Sequence, residues 1–302
     1  MAAITTGNHP KALWPGVARW FGAKYKEHPK FHQEMFEMLS SKKNYEEVVE
    51  HTGFGLAPVK TQGQSVSYDS ETQGETTRFT HVAYALGYIV TREEMDDNLY
   101  AEVSRGRASK LAFSMATTKE VVGANVFNRA FNSSYTGGDG KELLATDHPS
   151  ESGNQSNELA TAADLSEASL EDILIQIKNA VNARGLEISL TGQCLLVAPD
   201  NEFEANRILY STLQAGTANN DVNAMRHMGM LPKGIICNPY FTDTDAWFVK
   251  TDAPSGLIGF NRTPIEFTRD NDFDTDNAKA KAYERYDFGW GDWRGLYGSP
   301  GA

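Results

Sequence analysis

Several short stretches of this sequence bring chemistry-capable side chains close together. Gly137-Gly-Asp-Gly-Lys141 has the makings of a phosphate cradle, in which backbone amides wrap an anion and a lysine reaches its outer oxygens. That loop requires Gly, four residues, then Gly-Lys-Ser/Thr, and here Lys141 is followed by Glu142, so the stretch reads as a flexible turn. Asp147-His148 offers two members of a nucleophilic triad. No Gly-x-Ser-x-Gly elbow accompanies it, and an adjacent Asp and His cannot orient each other as a triad needs. Asp270, Asp272, Asp274 and Asp276 alternate as calcium ligands do. The positions that an EF-hand loop gives to glycine and glutamate hold Thr275 and Lys281, and the run reads as a solvated acidic loop.

The remaining candidates thin out in the same way. The seven histidines are scattered, with no His-Glu-x-x-His helix for zinc. The two cysteines, Cys194 and Cys237, sit in apolar runs and read as small buried hydrophobes. Trp247, Tyr283, Tyr286, Trp290, Trp293 and Tyr297 crowd the C-terminal part, but too few basic residues interleave them for a nucleic-acid platform, and they read as core or subunit interface. No catalytic, cofactor-binding or metal-ligating residue is therefore assigned.

Composition narrows the class further. A chain of 302 residues has room for about two domains of ordinary size. Hydrophobic residues make up 40%, enough for a core without disulfide or metal. Lys and Arg number 28 against 40 Asp and Glu, a formal net charge of -12, which argues against a protein whose work is gripping phosphates. No apolar run approaches a membrane span, and the start lacks the charged-then-apolar pattern of a leader, so a cytoplasmic protein without a membrane partner is expected.

The elements that must position any function fall into an unusual order. Residues 1–51 read as an arm, locally basic, with a short amphipathic helix near residues 30–39 that places Phe31, Met35, Phe36 and Leu39 on one face. Such a helix either packs on its own domain or reaches a neighbour. Residues 52–90 read as a long hairpin: Val66 and Tyr68 alternate on the way in, Val82 to Val90 on the way out, and a Ser/Thr/Gln/Gly-rich run forms a wet tip. An isolated hairpin is marginal in water, so this one lies either on its own body or on another copy. Thr91-Arg-Glu-Glu94 forms a capping box that opens a helix to about residue 130, through Met95, Leu99, Val103, Leu111, Met115, Val122 and Val126, with Gly106 and Gly123 as points of bending. A loop covers 131–162. A helix follows, started by Asp164 or Ser166 and stopped by Gly185, then a buried strand over 193–198, and a helix from Pro199 with Phe203, Ile208 and Leu209 inward. Strands are expected at 234–237, 246–250, 265–268 and 282–297. The fold class is α+β.

This order of parts resembles the major capsid protein of tailed bacteriophages, the Hong Kong 97-type fold, and within it the Mu-like major head subunits. The resembling strings are Asp139-Gly-Lys-Glu-Leu-Leu-Ala-Thr-Asp-His-Pro149, Leu195-Leu-Val-Ala-Pro199, Asn238-Pro-Tyr-Phe-Thr-Asp243 with Ala246-Trp-Phe-Val249, Lys281-Ala-Tyr-Glu-Arg-Tyr-Asp-Phe-Gly-Trp290, and Trp293-Arg-Gly-Leu-Tyr-Gly-Ser299. The resemblance implies an N-terminal arm (1–51), an extended hairpin loop (52–90), a peripheral domain with a spine helix (91–162), an axial domain (163–262) and return strands (263–302). It implies many copies closing, as hexamers and pentamers, into an icosahedral shell around packaged double-stranded DNA. The virion would be assembled in a bacterial cytoplasm, with separate scaffolding, portal and decoration proteins as partners. Inter-subunit contacts are expected at Val66, Tyr68, Arg78, Phe79, Phe31 and Phe36, and hinges at Pro58, Thr91 and Gly106. Thr61–Thr77 contains no lysine and only Lys60 stands at its stem, which counts against the hairpin cross-link made by part of the family. The same fold serves encapsulin-like shells with enzyme cargo. A soluble enzyme with an unrecognised site, or another virion part, is the reading outside it.

Overall fold

The computed structural model describes residues 10–97, 100–214, 221–272 and 277–302. Residues 1–9, Leu99, and Asp274, Thr275 and Asp276 of the acidic run lie outside the described residues, as do the side chains of Met95 and Val103.

The body is organised around one strand. Ala278–Trp290 (β9) alternates strictly from Ala278 to Phe288, with even-numbered side chains buried and odd-numbered ones exposed or half-buried. It pairs antiparallel with Leu257–Asn271 (β8) on one side and Val82–Val90 (β4) on the other, and the short Glu37–Ser40 (β1) completes the sheet in the order β1-β8-β9-β4, running parallel to β8. The small Ala278, Ala280 and Ala282 let the 29-residue helix Tyr100–Asn128 (α4) lie close to the sheet through Ala108, Leu111, Ala112 and Met115. At about 1.5 Å per residue α4 is about 43 Å long. It runs unbroken through Gly106 and Gly123, and Thr91 Oγ1 accepts from the Glu94 amide at 3.4 Å at the head of Arg92–Asp97 (α3), as the capping pattern foretells. Helix Pro10–Glu27 (α1) packs along α4, where Phe21 stacks on Phe267 at 4.8 Å.

A second sheet, β10-β7-β5-β6, is built from Gly192–Val197 (β5), Ile235–Cys237 (β6), Trp247–Thr251 (β7) and Leu296–Ser299 (β10). Helix Glu167–Lys178 (α5) is capped by Ser166 in a reciprocal box with Ser169, and buries Leu170, Ile173, Leu174 and Ile177 with Leu195, Val197, Trp247 and Val249 of this sheet. Glu202–Tyr210 (α6) and Ala224–Met228 (α7) complete that layer. The opposite face of the sheet meets the end of α4 and the short helix Phe31–Met35 (α2) through Phe127, Met35, Phe36 and Phe248, and this cluster joins the two sheets.

Several sequence expectations are corrected. The helix at 30–39 is only α2, because Phe36 turns extended and the chain becomes β1. Phe203 is 74% exposed, since α6 turns Ala205, Ile208 and Leu209 inward. Val82 to Val90 is not the returning limb of a hairpin but β4, an edge strand of the body sheet. The return strands do not form a unit starting at 263: β8 begins at Leu257, and β10 crosses back to pair with β7.

Charge is buried where α4 crosses β9. Lys119 Nζ meets Glu284 Oε2 at 3.1 Å and lies 4.7 Å from the Tyr286 ring centroid; both members of the pair are almost wholly buried. One residue on, Glu120 accepts from the His32 amide at 2.9 Å and meets His32 Nδ1 at 2.5 Å, anchoring α2. Burial and the Glu284 carboxylate push the Tyr25 hydroxyl far above its ordinary range. Removing one partner of such a pair strands the other. Lys119→Met is expected to cost about 3–5 kcal/mol in urea unfolding of the unassembled chain, and Lys119→Met with Glu284→Leu much less. Equal losses in the two variants would contradict this account.

Candidate assembly surface

The projecting limb of the molecule starts earlier than residue 52. Tyr45–His51 (β2) and Gln73–Thr80 (β3) form an antiparallel ribbon with a bulge between Val49 and His51. Thr52 and Thr72 close it: the Thr52 amide and hydroxyl both donate to the Thr72 carbonyl, at 3.2 and 3.1 Å. Residues 53–72, which the alternation of Val66 and Tyr68 marked as strand, carry no strand at all. Within the loop they form, Gly55 donates to Asp69 Oδ2 at 2.8 Å, and this bond with that from Ser70 holds the Asp69 carboxyl below its usual range.

The base of the ribbon is seated on the body by side chains that fill holes left by glycines. Phe79 is buried edge-on against Phe260 at 5.0 Å, and a methyl group on Gly289 would come within 2.9 Å of its ring. Val48 fills the space over Gly291, where a Cβ would lie 2.8 Å from its methyl. The Gly137–Lys141 loop also presses against β3: a Cβ on Gly138 would meet Thr77 Oγ1 at 2.8 Å and the Thr76 carbonyl at 3.0 Å. The stretch read as a flexible turn is thus a close-packed contact that only glycine permits.

A polar clasp locks this seat. Arg294, buried, donates to the Val181 carbonyl at 2.9 Å and pairs with Asp292, Gln155 and, from the ribbon, Glu50 at 3.3 Å. His148 stacks on Trp293 at 4.3 Å. Its acidic partner is Asp139, at 2.5 Å from Nδ1, and not the adjacent Asp147, which takes Lys141 at 2.5 Å. Asn157 Oδ1 accepts the Ala145 amide at 3.0 Å, and its Nδ2 donates to the carbonyls of Leu143, Trp293 and Leu296, so the amide orientation is fixed and His148 Nε2 must donate to Oδ1 at 3.1 Å. The clasp is structural: each polar group in it is spent on another. Glu75, facing Asp139 and Glu50, is pushed up to about 7 by burial and by those carboxylates.

Beyond the seat the ribbon loop is uncovered and carries several apolar side chains. Leu56 and Val59 are 83% and 92% exposed, and Phe54, Val66 and Tyr68 are exposed with them. The end of the loop is tied to the body where Arg184 donates to the Ser70 carbonyl at 2.6 Å and Thr72 bonds Glu151 at 3.0 Å.

The contact candidates therefore divide. Val66 and Tyr68 stand free. Arg78 is exposed but lies over the Tyr45 ring and pairs with Glu47 at 2.7 Å. Phe79, Phe36 and Phe31 are corrected: Phe79 and Phe36 are buried in this chain's own cores, Phe36 at 4.9 Å from Phe288, and Phe31 packs half-buried beside Tyr240, because each has apolar neighbours of the same chain within reach. Pro58 lies in the exposed loop, Thr91 caps α3, and Gly106 is an exposed residue of α4. Leu56, Val59, Glu75 and Arg294 were missed; the first two carry no periodicity, and the last two matter only through partners distant in sequence. Both thiols are pushed up to about 11, chiefly by burial, and are unreactive as thiolates near neutrality. Among the described residues no group of three or more His, Cys, Asp or Glu could hold a metal ion.

A family model described as phage capsid protein matches residues 74–299. No curated protein matches the sequence. Among solved structures, the capsid of a native GTA particle aligns at a TM-score of 0.59 and 10% identity, covering 90% of each chain. The mature capsid of bacteriophage PhiM1 aligns at 0.57 and 14%, over 90% of this chain and 87% of that one. The virus-like particle from Pyrococcus furiosus aligns at 0.56 and 9%, over 94% and 98%. At these identities the likeness is one of fold.

The seat carries a pH dependence of definite sign. Glu75 has its folded-state value raised from 4.5 to about 7, so seating is strongest below about pH 4.5 and weakens as pH rises through about 7. Glu75→Gln is expected to remove that slope in unfolding titrations of the unassembled chain. A slope unchanged in the variant would show that Glu75 is not its source.

Proposed function

The chain belongs to the phage capsid protein family, and from that premise we propose that its exposed ribbon loop is the limb by which copies hold one another in the shell. As a major capsid protein its role is structural, it acts by self-association, and its place is the virion. The α+β fold is that of the Hong Kong 97-type capsids. The observation that carries the proposal is the contrast along one limb. Its base is seated through Phe79, Val48 and Arg294, while Phe54, Leu56, Val59, Val66 and Tyr68 beyond it have no cover. Large apolar side chains exposed in this number along one loop suit a surface covered by a partner. Covering one such side chain contributes about 1.5–3 kcal/mol, and a closed shell repeats the contact on every subunit.

In this reading the copies form hexamers and pentamers of an icosahedral shell that encloses double-stranded DNA without sequence-specific contact. The net charge of -12 suits a container filled under force better than a DNA-binding surface. Scaffolding, portal and decoration proteins are separate partners, assembly takes place in the bacterial cytoplasm, and Pro58, Thr91 and Gly106 are the joints at which the limb and the spine adjust.

Electron microscopy of the purified protein tests this directly. Closed particles are expected from the wild type. Changing Leu56, Val59 and Tyr68 together to Ser is expected to leave the unfolding free energy of the subunit within about 0.5 kcal/mol while abolishing closed particles even at ~100-fold the wild-type threshold concentration. Normal shells from that variant would refute the role of the loop, and a cargo protein without DNA inside native particles would favour an encapsulin-like shell.

A further inference from the structure

On the β3 side of the limb a single residue, His81, separates ribbon from body. Thr80 ends β3, which belongs to the ribbon, and Val82 begins β4, which belongs to the body sheet. His81 is 4% exposed. Its amide donates to the Asn44 carbonyl at 3.4 Å, and its carbonyl accepts from Arg285 at 3.3 Å, the same guanidinium that holds the Asn44 side chain at 3.2 Å. The imidazole lies 6.0 Å from the Phe260 ring. Neither ring nitrogen has a hydrogen-bond partner, and Nε of Arg285 is likewise buried and unpartnered.

The charged groups facing this ring come from three strands. Arg285 on β9 and Arg262 on β8 oppose a second proton on it, Arg285 more than Arg262. Glu46 on β2 favours one, but its carboxylate is already engaged by Ser41 at 2.8 Å and Lys43 at 3.1 Å. Burial is the largest effect, and together these hold the imidazole below its ordinary value of 6.5. A neutral ring is tolerated in this seat. A charged one would be a cation between guanidiniums with no acceptor bonded to it.

We propose that His81 is an acid-sensitive joint, whose protonation drives the ring from its seat and frees the ribbon to pivot on the body sheet. Because the folded-state value lies below the unfolded one, the stability contributed by the joint is present above about pH 6.5 and is lost as pH falls below it. This is opposite in sign to Glu75, whose protonation on acidification strengthens the seat, so the two can be told apart. The device is a property of the single subunit and stands or falls independently of what the loop contacts in the shell.

Hydrogen exchange of the unassembled full chain, read by mass spectrometry and corrected for intrinsic rates at each pH, tests it. Between about pH 7.5 and about pH 5, protection of peptides covering residues 44–46 and 79–83 is expected to fall at least ~10-fold, while the 278–290 strand keeps its protection. His81→Gln and His81→Phe, which cannot gain the charge, are expected to hold protection across the range. Arg262→Gln, which removes a like charge and the bond to the Lys43 carbonyl but leaves the ring, is expected to shrink the pH-dependent part of the loss. A flat wild-type profile overturns the proposal. So does an equal loss in either His81 variant, or a pH-dependent loss undiminished by Arg262→Gln.

Discussion

The molecule depends on one constraint: β9 must bury its whole even-numbered face against the spine and the core. Its even-numbered side chains lie under α4, and its small alanines set how closely that helix approaches. At the crossing the chain buries a lysine and a glutamate together. A buried ion pair is weak evidence of net stability, because desolvation offsets most of the attraction. Its value is in register, since any sliding of α4 along the sheet would separate Lys119 from Glu284 and Glu120 from His32 at once. With the spine registered, β8 and β4 flank the strand, β1 adds to β8, and the second sheet hangs from the aromatic cluster at the end of α4.

The ribbon follows a different logic. Two strands cannot bury enough surface to stand alone, so the base borrows cover from the body, through Phe79 over Gly289 and Val48 over Gly291, with Arg294 beneath. Past Thr52 and Thr72 no such cover exists. The limb is thus two regions joined end to end, one completed within the chain and one completed by other copies. The boundary between them is where intramolecular apolar contacts stop.

Two titratable groups with shifted values stand on this limb and its footing. Glu75 sits among carboxylates beside Arg294, and His81 sits among guanidiniums at the junction with β4. Elsewhere such clusters announce catalysis. Here the partners of Arg294, His148 and Asn157 are other groups of the clasp, and the perturbed groups bear on how firmly a limb is held rather than on a bound substrate.

Much of the architecture was legible in the residues. Amphipathic periodicity and capping chemistry are local properties, so the spine helix, the Ser166-capped helix and the buried strand near residue 195 could be read directly, and the order of these parts with the Lys281–Trp290 and Trp293–Ser299 strings pointed to the capsid fold. What the residues could not reveal was pairing. Alternation in Val82–Val90 is identical whether the strand returns along a hairpin or enters a body sheet, and only β9 opposite it decides. Phe36 and Phe79 look like Val66 and Tyr68 in sequence, yet cores assembled from distant residues bury the first two and leave the others bare. The same holds for His148, whose acid lies at Asp139 and not beside it. Sequence alone determined the segments with strong local signals, the capped helices and the buried strand near residue 195, because those preferences act over a few residues; tertiary structure decided the strands at 37–40 and 45–51 and which apolar and charged groups find partners within the chain, because that depends on contacts between segments far apart along it.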